Sequence, residues 1–471
     1  MTLKKILLFA IGPIGAAFIG LITIPILTWY YSQEDIGKIS MIPIIITFSS
    51  LIFSLGLDQA FVREYNESKN KLILFKTTIT PGLIFIFFIS SFFLLDNELL
   101  PSLMFNEKSK VLNSEILIII ISSFIIRFFS LLFRMNERGI IYSISQILPK
   151  AIILIIIGLF IFLGLNKDFQ SLILANTFGV FITSLFMLIK YGHFRPLFKI
   201  EKIDTNDLKR MLAFGLPLAI GGLAFWGLTS VDRILIRYLS NYEELAIYSV
   251  ALSFAASAGI IQSIFTTVWL PIVYKWINEK RNIEKINEVI QYMLFIIVIL
   301  YCLIGMFSWL IPIILPYEYA NVQWILIASI GYPLFYTLSE TTVIGINISR
   351  KSIFAMLSIF IAFGVNILIN LITIPKYGAA GAAISSCLSF LILFLLRTEF
   401  SIMLWSSIPR LKLYIYPCLL TVGAIACNLL YTKLGYFTHL YWLFILLTTF
   451  IFFKKEIKIS KDFIIKTLKN N

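Results

Sequence analysis

The feature that most constrains this chain is the absence of charge over long stretches. Residues 41 to 55, MIPIIITFSSLIFSL, hold no charged group, and apolar runs of similar character recur from end to end. A helix of about 20 such residues crosses the ~30 Å hydrocarbon core of a bilayer. Only 14% of the 471 residues are charged and 59% are hydrophobic, with 15% aromatic. A soluble domain carries about 25% charged residues, so water is not the main solvent here. The fold class read from this is all-α, a polytopic helical membrane protein.

Charged breaks divide the chain into about fourteen spans, with approximate limits 6–30, 39–60, 74–95, 115–134, 140–164, 170–190, 211–237, 244–270, 290–315, 321–347, 352–374, 378–397, 411–431 and 437–453. Pro13, Pro25, Pro43, Pro217 and Pro312 fall inside spans, where neighbouring helices can re-satisfy the freed carbonyls. The N-terminus, MTLKKILLFAIGPIGAAFIGLITIPILTWYY, has a positive start followed by more than a signal peptide's apolar length. It reads as the first span.

The net charge of +14 comes from 39 Lys and Arg against 25 Asp and Glu. In a soluble protein that excess would point to nucleic acid; in a membrane protein its placement sets orientation. With the N-terminus inside, the inner segments collect most of the bases, including Lys4, Lys5, Arg63 to Lys76, Lys190 to Arg210 and Lys454 to Lys469. The outer loops hold Lys38, Lys108, Lys110, Lys167, Lys376 and Lys433. Both termini are therefore expected in the cytoplasm, with an even number of spans, and nucleic acid is no partner. Cys302, Cys387, Cys418 and Cys427 lie in apolar runs without redox or metal spacing and read as small buried hydrophobes. His193 and His439 stand far apart in loop-like segments, so neither metal nor cofactor is expected.

Internal repeats organise the spans. ILTWYYSQEDIGKIS (26–40) parallels ILIRYLSNYEELAIYS (234–249), and NERGIIYS (136–143) parallels ISRKSIFA (348–355). Each half begins on the cytoplasmic side, so the repeats are parallel. The division expected is an N-lobe of helices 1–6 (1–195), a C-lobe of helices 7–12 (196–405), and helices 13–14 with a basic tail (406–471). Two six-helix lobes with a cleft between them describe a transporter.

Charges left inside spans are costly, and such groups face a cavity or a partner. Arg127 lies deep in the fourth span and Glu340 in the tenth. Aligning Arg138 with Arg350 puts Arg127 opposite Ser339, one residue from Glu340. Two outcomes are open: both face the cleft, Arg127 meeting an anion and Glu340 a proton or cation, or they pair with each other and lock the lobes. Arg233 and Arg237, four apart, share a helix face that suits a diphosphate, or else they snorkel to headgroups. Asp232 can balance one of them. At the inner end of the second span, GLDQAFVREY (56–65) places Gln59 and Arg63 on one face and Asp58 and Tyr65 on another. Arg63 and Glu64 fit the water interface, while Asp58 and Gln59 sit one turn deeper.

GLDQAFVREY resembles the signature of bacterial oligosaccharide flippases of the polysaccharide-transport family, in the multidrug/oligosaccharidyl-lipid/polysaccharide exporter superfamily. FGLPLAIGGLAFWGLTSVDRILIRYLS with ELAIYSVALS is similar to that family's seventh-to-eighth-span region, and PKYGAAGAAISSCLSF (375–390) to its twelfth-span entry. The resemblance implies translocation of undecaprenyl-diphosphate-linked oligosaccharide repeat units across the bacterial inner membrane, for O-antigen, lipopolysaccharide or related surface polysaccharide. It also implies alternating access coupled to a proton or sodium ion, and a polysaccharide polymerase and chain-length regulator as partners. Arg127, Arg233, Arg237 and Arg63 are the candidates for the diphosphate; Asp58, Gln59, Asp232 and Glu340 are those for coupling or gating. Two departures bear on relatives within the superfamily. Lipid II flippases are expected to carry arginines in the first helix, and residues 6 to 37 contain none. Drug/cation antiporters are expected to have twelve spans and deep acids in the first lobe, and residues 6 to 33 hold no acid. An enzyme such as a glycosyltransferase or polymerase is not expected: inter-span segments reach only about 20 residues, without DxD or paired catalytic carboxylates. GxxxxGK[ST] is absent too, so direct ATP use has no support.

Overall fold

A computed structural model of the chain describes residues 3–192, 205–279, 283–435 and 437–456. All regular structure in these residues is helical. In chain order the α-helices are α1 (Leu3–Tyr30), α2 (Gln33–Ile39), α3 (Ile42–Ser54), α4 (Leu57–Glu64), α5 (Lys71–Leu95), α6 (Leu99–Phe105), α7 (Lys110–Met135), α8 (Gly139–Phe162), α9 (Phe169–Tyr191) and α10 (Thr205–Leu239). They continue as α11 (Tyr242–Ala255), α12 (Gly259–Asn278), α13 (Ile283–Phe307), α14 (Ile311–Ile314), α15 (Val322–Ser329), α16 (Gly331–Thr342), α17 (Ile344–Ile348), α18 (Ser352–Leu404), α19 (Arg410–Leu434) and α20 (Phe437–Phe452).

Among the described residues, eleven stretches are long and apolar enough to cross a membrane. One of them, α18, has 53 residues, about 80 Å at 1.5 Å per residue and far more than a bilayer needs. It is two rods joined at Gly378, whose φ of 53° and ψ of −128° are not helical. Dividing it there makes a twelfth span. The α11–α12 pair, interrupted by one 3₁₀ turn at Ala256–Ala258, makes a thirteenth. The shorter apolar α20 makes a fourteenth. The all-helical, polytopic architecture of about fourteen spans read from hydropathy is thus that of the described residues.

Local chemistry explains the corners. The two repeated stretches at 26–40 and 234–249 both fold as helix, tight turn, helix. Ser32 Oγ accepts from the backbone N–H of Asp35, and Asn241 Oδ1 from that of Glu244, so each new helix starts with a side-chain cap. At Gly378 the second rod of α18 is capped from outside its own element: Glu244 Oε2 accepts the Ala379 N–H at 2.7 Å. A Cβ at Gly378 would lie 2.4 Å from that same oxygen, so glycine is required both by φ and by space.

Where the chain departs from the simple spans, tertiary contact is the cause. The expected second span, 39–60, is three helices, broken at Ser40–Met41 and again at Leu55 and Gly56, both left-handed with φ of 51° and 72°. The expected tenth span is broken as well, into α15, α16 and α17. The seventh, read as 211–237, is a 35-residue helix that begins at Thr205. The expected lobe boundary at 195/196, the linker around it, His193 and the basic tail from residue 457 lie outside the described residues. His439 is helical, in the first turn of α20, not in a loop. Three cysteines are buried, but Cys418 is exposed, because an apolar run in a membrane helix need not face protein.

The chain forms two compact units, residues 1–227 and 228–471, and their boundary falls inside α10. In unit 1 the first part of α10 lies against α3 and α4. Trp226 Nε1 donates to Thr47 Oγ1 at 3.0 Å, and its ring stands 4.7 Å from Phe48. Arg210 pairs with Glu64 at 2.9 Å. At the crossing, Gly56 and Gly215 meet backbone to backbone: a Cβ on Gly56 would sit 2.0 Å from the Gly215 carbonyl oxygen, and one on Gly215 would sit 2.6 Å from that of Gly56. This is the small-residue contact that lets membrane helices approach closely.

Gly215→Ala is therefore expected to destabilise the chain by about 1–3 kcal/mol through overpacking. Gly221→Ala, where nothing lies within 4 Å of the added methyl, is the matched control. Thermal unfolding in detergent should show a lower midpoint for the first variant only, and equal midpoints would sink the packing argument.

Candidate functional site: buried charges in each unit

In unit 1 the GLDQAFVREY stretch is built as a hub. The left-handed Leu55 and Gly56 turn α4 away from α3, and Leu57, Ala60, Phe61 and Tyr65 then sink into an aromatic core. Phe61 stands edge-on to Tyr65 and Phe75, and Phe75 edge-on to Phe129. The Tyr65 hydroxyl donates to Asn136 Oδ1 at the end of α7. This packing leaves Asp58 on the face of α4 that meets α7. There Arg127 Nη2 lies 2.5 Å from Asp58 Oδ2. The acid is 3% exposed and the arginine 33%, so the pair is closed on one side and open on the other. Gln59, itself exposed, reaches the same Oδ2 at 3.3 Å.

Three of the expected site residues, Asp58, Gln59 and Arg127, are thus brought together. Arg63 has a different contact: its guanidinium lies over the Phe214 ring at 4.2 Å. Arg63 and Glu64, expected at the water interface, both contact α10.

Unit 2 holds a second pair. Glu340 Oε1 accepts from Arg397 Nη1 at 2.6 Å, and the same nitrogen reaches Ser339 Oγ at 3.1 Å. The Tyr336 ring lies 5.4 Å from the guanidinium. Of the two readings for Arg127 and Glu340, the mutual ion pair is not what forms: each has a partner inside its own unit. Sequence reasoning passed over Arg397 because it ends the expected span 378–397, where an arginine reads as interfacial. The helix runs on to Leu404, which places Arg397 within it.

The turns before the fifth and eleventh spans sharpen the repeat. Glu137 and Arg350 are the left-handed residues, with φ of 56° and 54°, and each is followed by an N-cap and then a helix. Aligning these two residues moves the register by one. Ten positions back, Arg127 then falls opposite Glu340 itself. Equivalent places in the two units carry opposite charges, each neutralised locally.

Asp232, 1% exposed, has a third arrangement. Its Oδ1 accepts from Asn366 Nδ2 at 3.0 Å and Asn370 Nδ2 at 2.6 Å. Its Oδ2 accepts from the Tyr248 hydroxyl at 2.8 Å and from the Ser386 hydroxyl. Two amides and two hydroxyls, all neutral, satisfy a carboxylate expected to balance an arginine. Arg233 is close enough to feel that charge, but its Nε has no hydrogen-bond acceptor among the described residues. Arg237 Nε donates to the Tyr242 hydroxyl at 3.0 Å, with its guanidinium over the Tyr238 ring. Asn366 and Asn370 were not singled out from the sequence. Their four-residue spacing in an otherwise apolar helix was the available signal. Among the described residues no three His, Cys, Asp or Glu side chains gather as metal ligands.

Comparison with solved structures places the fold. A lipid II flippase, MurJ, in an inward closed conformation, matches with a TM-score of 0.69 at 19% identity, covering 96% of this chain and 100% of that one. A multidrug resistance MATE family transporter of the MOP superfamily matches in its inward-facing conformation at TM-score 0.56 and 14% identity, over 82% of this chain and 94% of the other. An outward-facing MATE transporter of that superfamily gives 0.53 at 13% identity, over 84% and 93%. At such identities the likeness is one of fold. No curated protein matches the chain. A family profile does, over residues 2–277, more than half the length: the chain belongs to the polysaccharide biosynthesis protein family.

Proposed function

We propose that the chain is a flippase for undecaprenyl-diphosphate-linked oligosaccharide repeat units, acting in the bacterial inner membrane in the synthesis of O-antigen or a related surface polysaccharide. The observation that carries this is the half-open Arg127–Asp58 pair in a membrane protein of a polysaccharide biosynthesis family. A guanidinium has five donors, and Asp58 engages one edge. What stays open can meet phosphate oxygens, for which the planar fork is well matched. Asp58 holds the arginine in place and lowers the cost of a lone cation in the membrane. Gln59 lends a further donor beside the acid.

Transport, rather than catalysis, agrees with similar structures described as a flippase and as transporters. Movement between inward-open and outward-open states is part of the proposal, with both termini in the cytoplasm as the charge bias implies. So are the polymerase and chain-length regulator that would receive the flipped unit. Arg233 and Arg237 are kept as secondary candidates for the diphosphate, one turn apart on α10. Arg63, stacked on Phe214, acts at the inner end.

Asp232 is the coupling group we favour over Glu340, whose charge is matched by Arg397. An ionised carboxylate uses all four of its neutral donors. A protonated one, or one bound to sodium, would accept from fewer, so ion uptake would loosen the contacts that tie α10 to α11 and α18. That is a local change with a structural consequence, which an ion-driven transporter needs.

Arg127→Ala is expected to abolish surface polysaccharide and to raise the level of lipid-linked repeat units, while the chain still inserts. Arg127→Lys should recover only part of the activity, because it keeps charge without the fork. Normal polysaccharide in the alanine variant would exclude Arg127 from the site.

For coupling, Asp232→Asn should leave reconstituted flipping slow and insensitive to an imposed proton or sodium gradient. The parent chain should respond to at least one of the two gradients. A parent that ignores both would remove ion coupling altogether.

A further inference from the structure

The ion pairs above do not account for the charge of Lys150. Lys150 is the twelfth of the 24 residues of α8, in the run ILPKAIIL. Eleven residues separate it from Gly139 and twelve from Phe162, about 17 and 18 Å of helix. Snorkelling carries a lysine to the interface from a helix end, but a four-carbon stem falls well short of either end from here.

No neighbouring helix neutralises it. α8 packs against α1, α7 and α9. α1, α8 and α9 contain no Asp or Glu. The one acid of α7, Glu115, accepts from Gln170 Nε2 with both oxygens, at 3.0 and 3.1 Å. Among the described residues Lys150 has no hydrogen bond and no ion pair. Its helical spacing continues the row of Ser143 and Ile147, which touch Gly12 and Gly15 of α1. The side chain is exposed. A lone cation at this depth faces a water-filled cavity rather than lipid.

We propose that Lys150 lines a water-filled recess of unit 1 and supplies the cation that meets the phosphates of the transported lipid; the second half of this rests on the flippase function proposed above. An unpaired ammonium at mid-bilayer depth is costly unless water reaches it. Once water does, the same ammonium is a mobile point charge suited to phosphate oxygens. Arg127 is engaged by Asp58 and Arg397 by Glu340, whereas the charge of Lys150 is uncommitted. Gln146, one turn earlier, adds a polar side chain to the same face.

Two measurements on the full chain test the two halves. Cys302, Cys387 and Cys427 are buried and Cys418 is exposed, so Cys418→Ser gives a quiet background for Lys150→Cys. In intact membranes the new thiol should react with trimethylammonium-ethyl methanethiosulfonate, a water-borne cation. Lack of reaction would overturn the recess. Purified chain in nanodiscs is then titrated with undecaprenyl diphosphate and, separately, with uncharged undecaprenol. Lys150→Met should weaken diphosphate binding about tenfold or more, as loss of a charge-assisted contact does, and Lys150→Arg should stay within about threefold of the parent. Unchanged undecaprenol binding shows that the Met variant is folded. Diphosphate affinity equal in parent and Met variant would overturn the phosphate role of Lys150. A parent that binds undecaprenyl diphosphate no better than undecaprenol would overturn the flippase function and the phosphate role with it, while the thiol reaction decides the recess independently.

Discussion

The architecture of unit 1 depends on holding the Asp58 carboxyl group against Arg127 inside a membrane protein. A charged side chain costs roughly 2.5–3.5 kcal/mol on insertion scales at the centre of a membrane helix, and less near the inner end of the span where Asp58 lies. The carboxylate is tolerable here because Arg127 lies 2.5 Å away on another helix. That pairing requires α4 to leave the line of α3, which the left-handed Leu55 and Gly56 bring about. The kink in turn fits only because Gly215 has no side chain. Charge, backbone conformation and helix packing are therefore one device. The aromatic core of Phe61, Tyr65, Phe75 and Phe129 fills the space around it. Removing one partner of such a pair would leave an uncompensated charge, which costs more than the pair contributes.

Unit 2 answers the same problem with the charges exchanged. Glu340 stands where the repeat puts Arg127, and its neutralising Arg397 comes from a different helix than the one that supplies Asp58 in unit 1. A duplicated framework thus keeps the rule that a membrane charge needs a partner while the individual residues change. Asp232 solves the problem by a third route, accepting from four neutral donors. A carboxylate whose hydrogen bonds come from neutral groups can lose its charge without breaking a salt bridge, although the adjacent Arg233 then loses an attractive charge. A carboxylate in a salt bridge cannot, since its protonation leaves an arginine unpaired. This asymmetry is the physical reason to place ion coupling at Asp232.

Much of this was legible in the sequence, for reasons of scale. Hydropathy averages over about 20 residues, so spans emerge even when their helices are broken. The repeats at 26–40 and 234–249 carry their own caps, Ser32 and Asn241, and local capping chemistry is written in short strings. Asp58 could be recognised as unusual from its depth alone. The departures arise from contacts distant in sequence. Leu55 is left-handed just before Gly56, whose backbone crosses that of Gly215, and no local preference of leucine announces it. Arg397 reads as a boundary residue because charges follow it in the sequence, whereas its helix runs on to Leu404. Asn366 and Asn370 are neutral and attract no notice until a buried acid is found between them and the hydroxyls of Tyr248 and Ser386.

Sorting the membrane charges by what they touch separates their functions better than sorting them by type. Arg397 is nearly sealed, at 6% side-chain exposure, and closed by its acid; it is suited to holding α18 against α16. Arg127 is bound on one edge and open on another, so it can be both fixed and available. Lys150 is open without a partner, the costliest arrangement in lipid and the most useful beside water. On the proposed function, a phosphate-bearing lipid head has two different cations available in unit 1: the fixed guanidinium of Arg127 gives direction, and the mobile ammonium of Lys150 follows the ligand. A substrate that must be released as well as bound is better served by one flexible contact than by two rigid ones, because binding that is too tight slows the next step of transport.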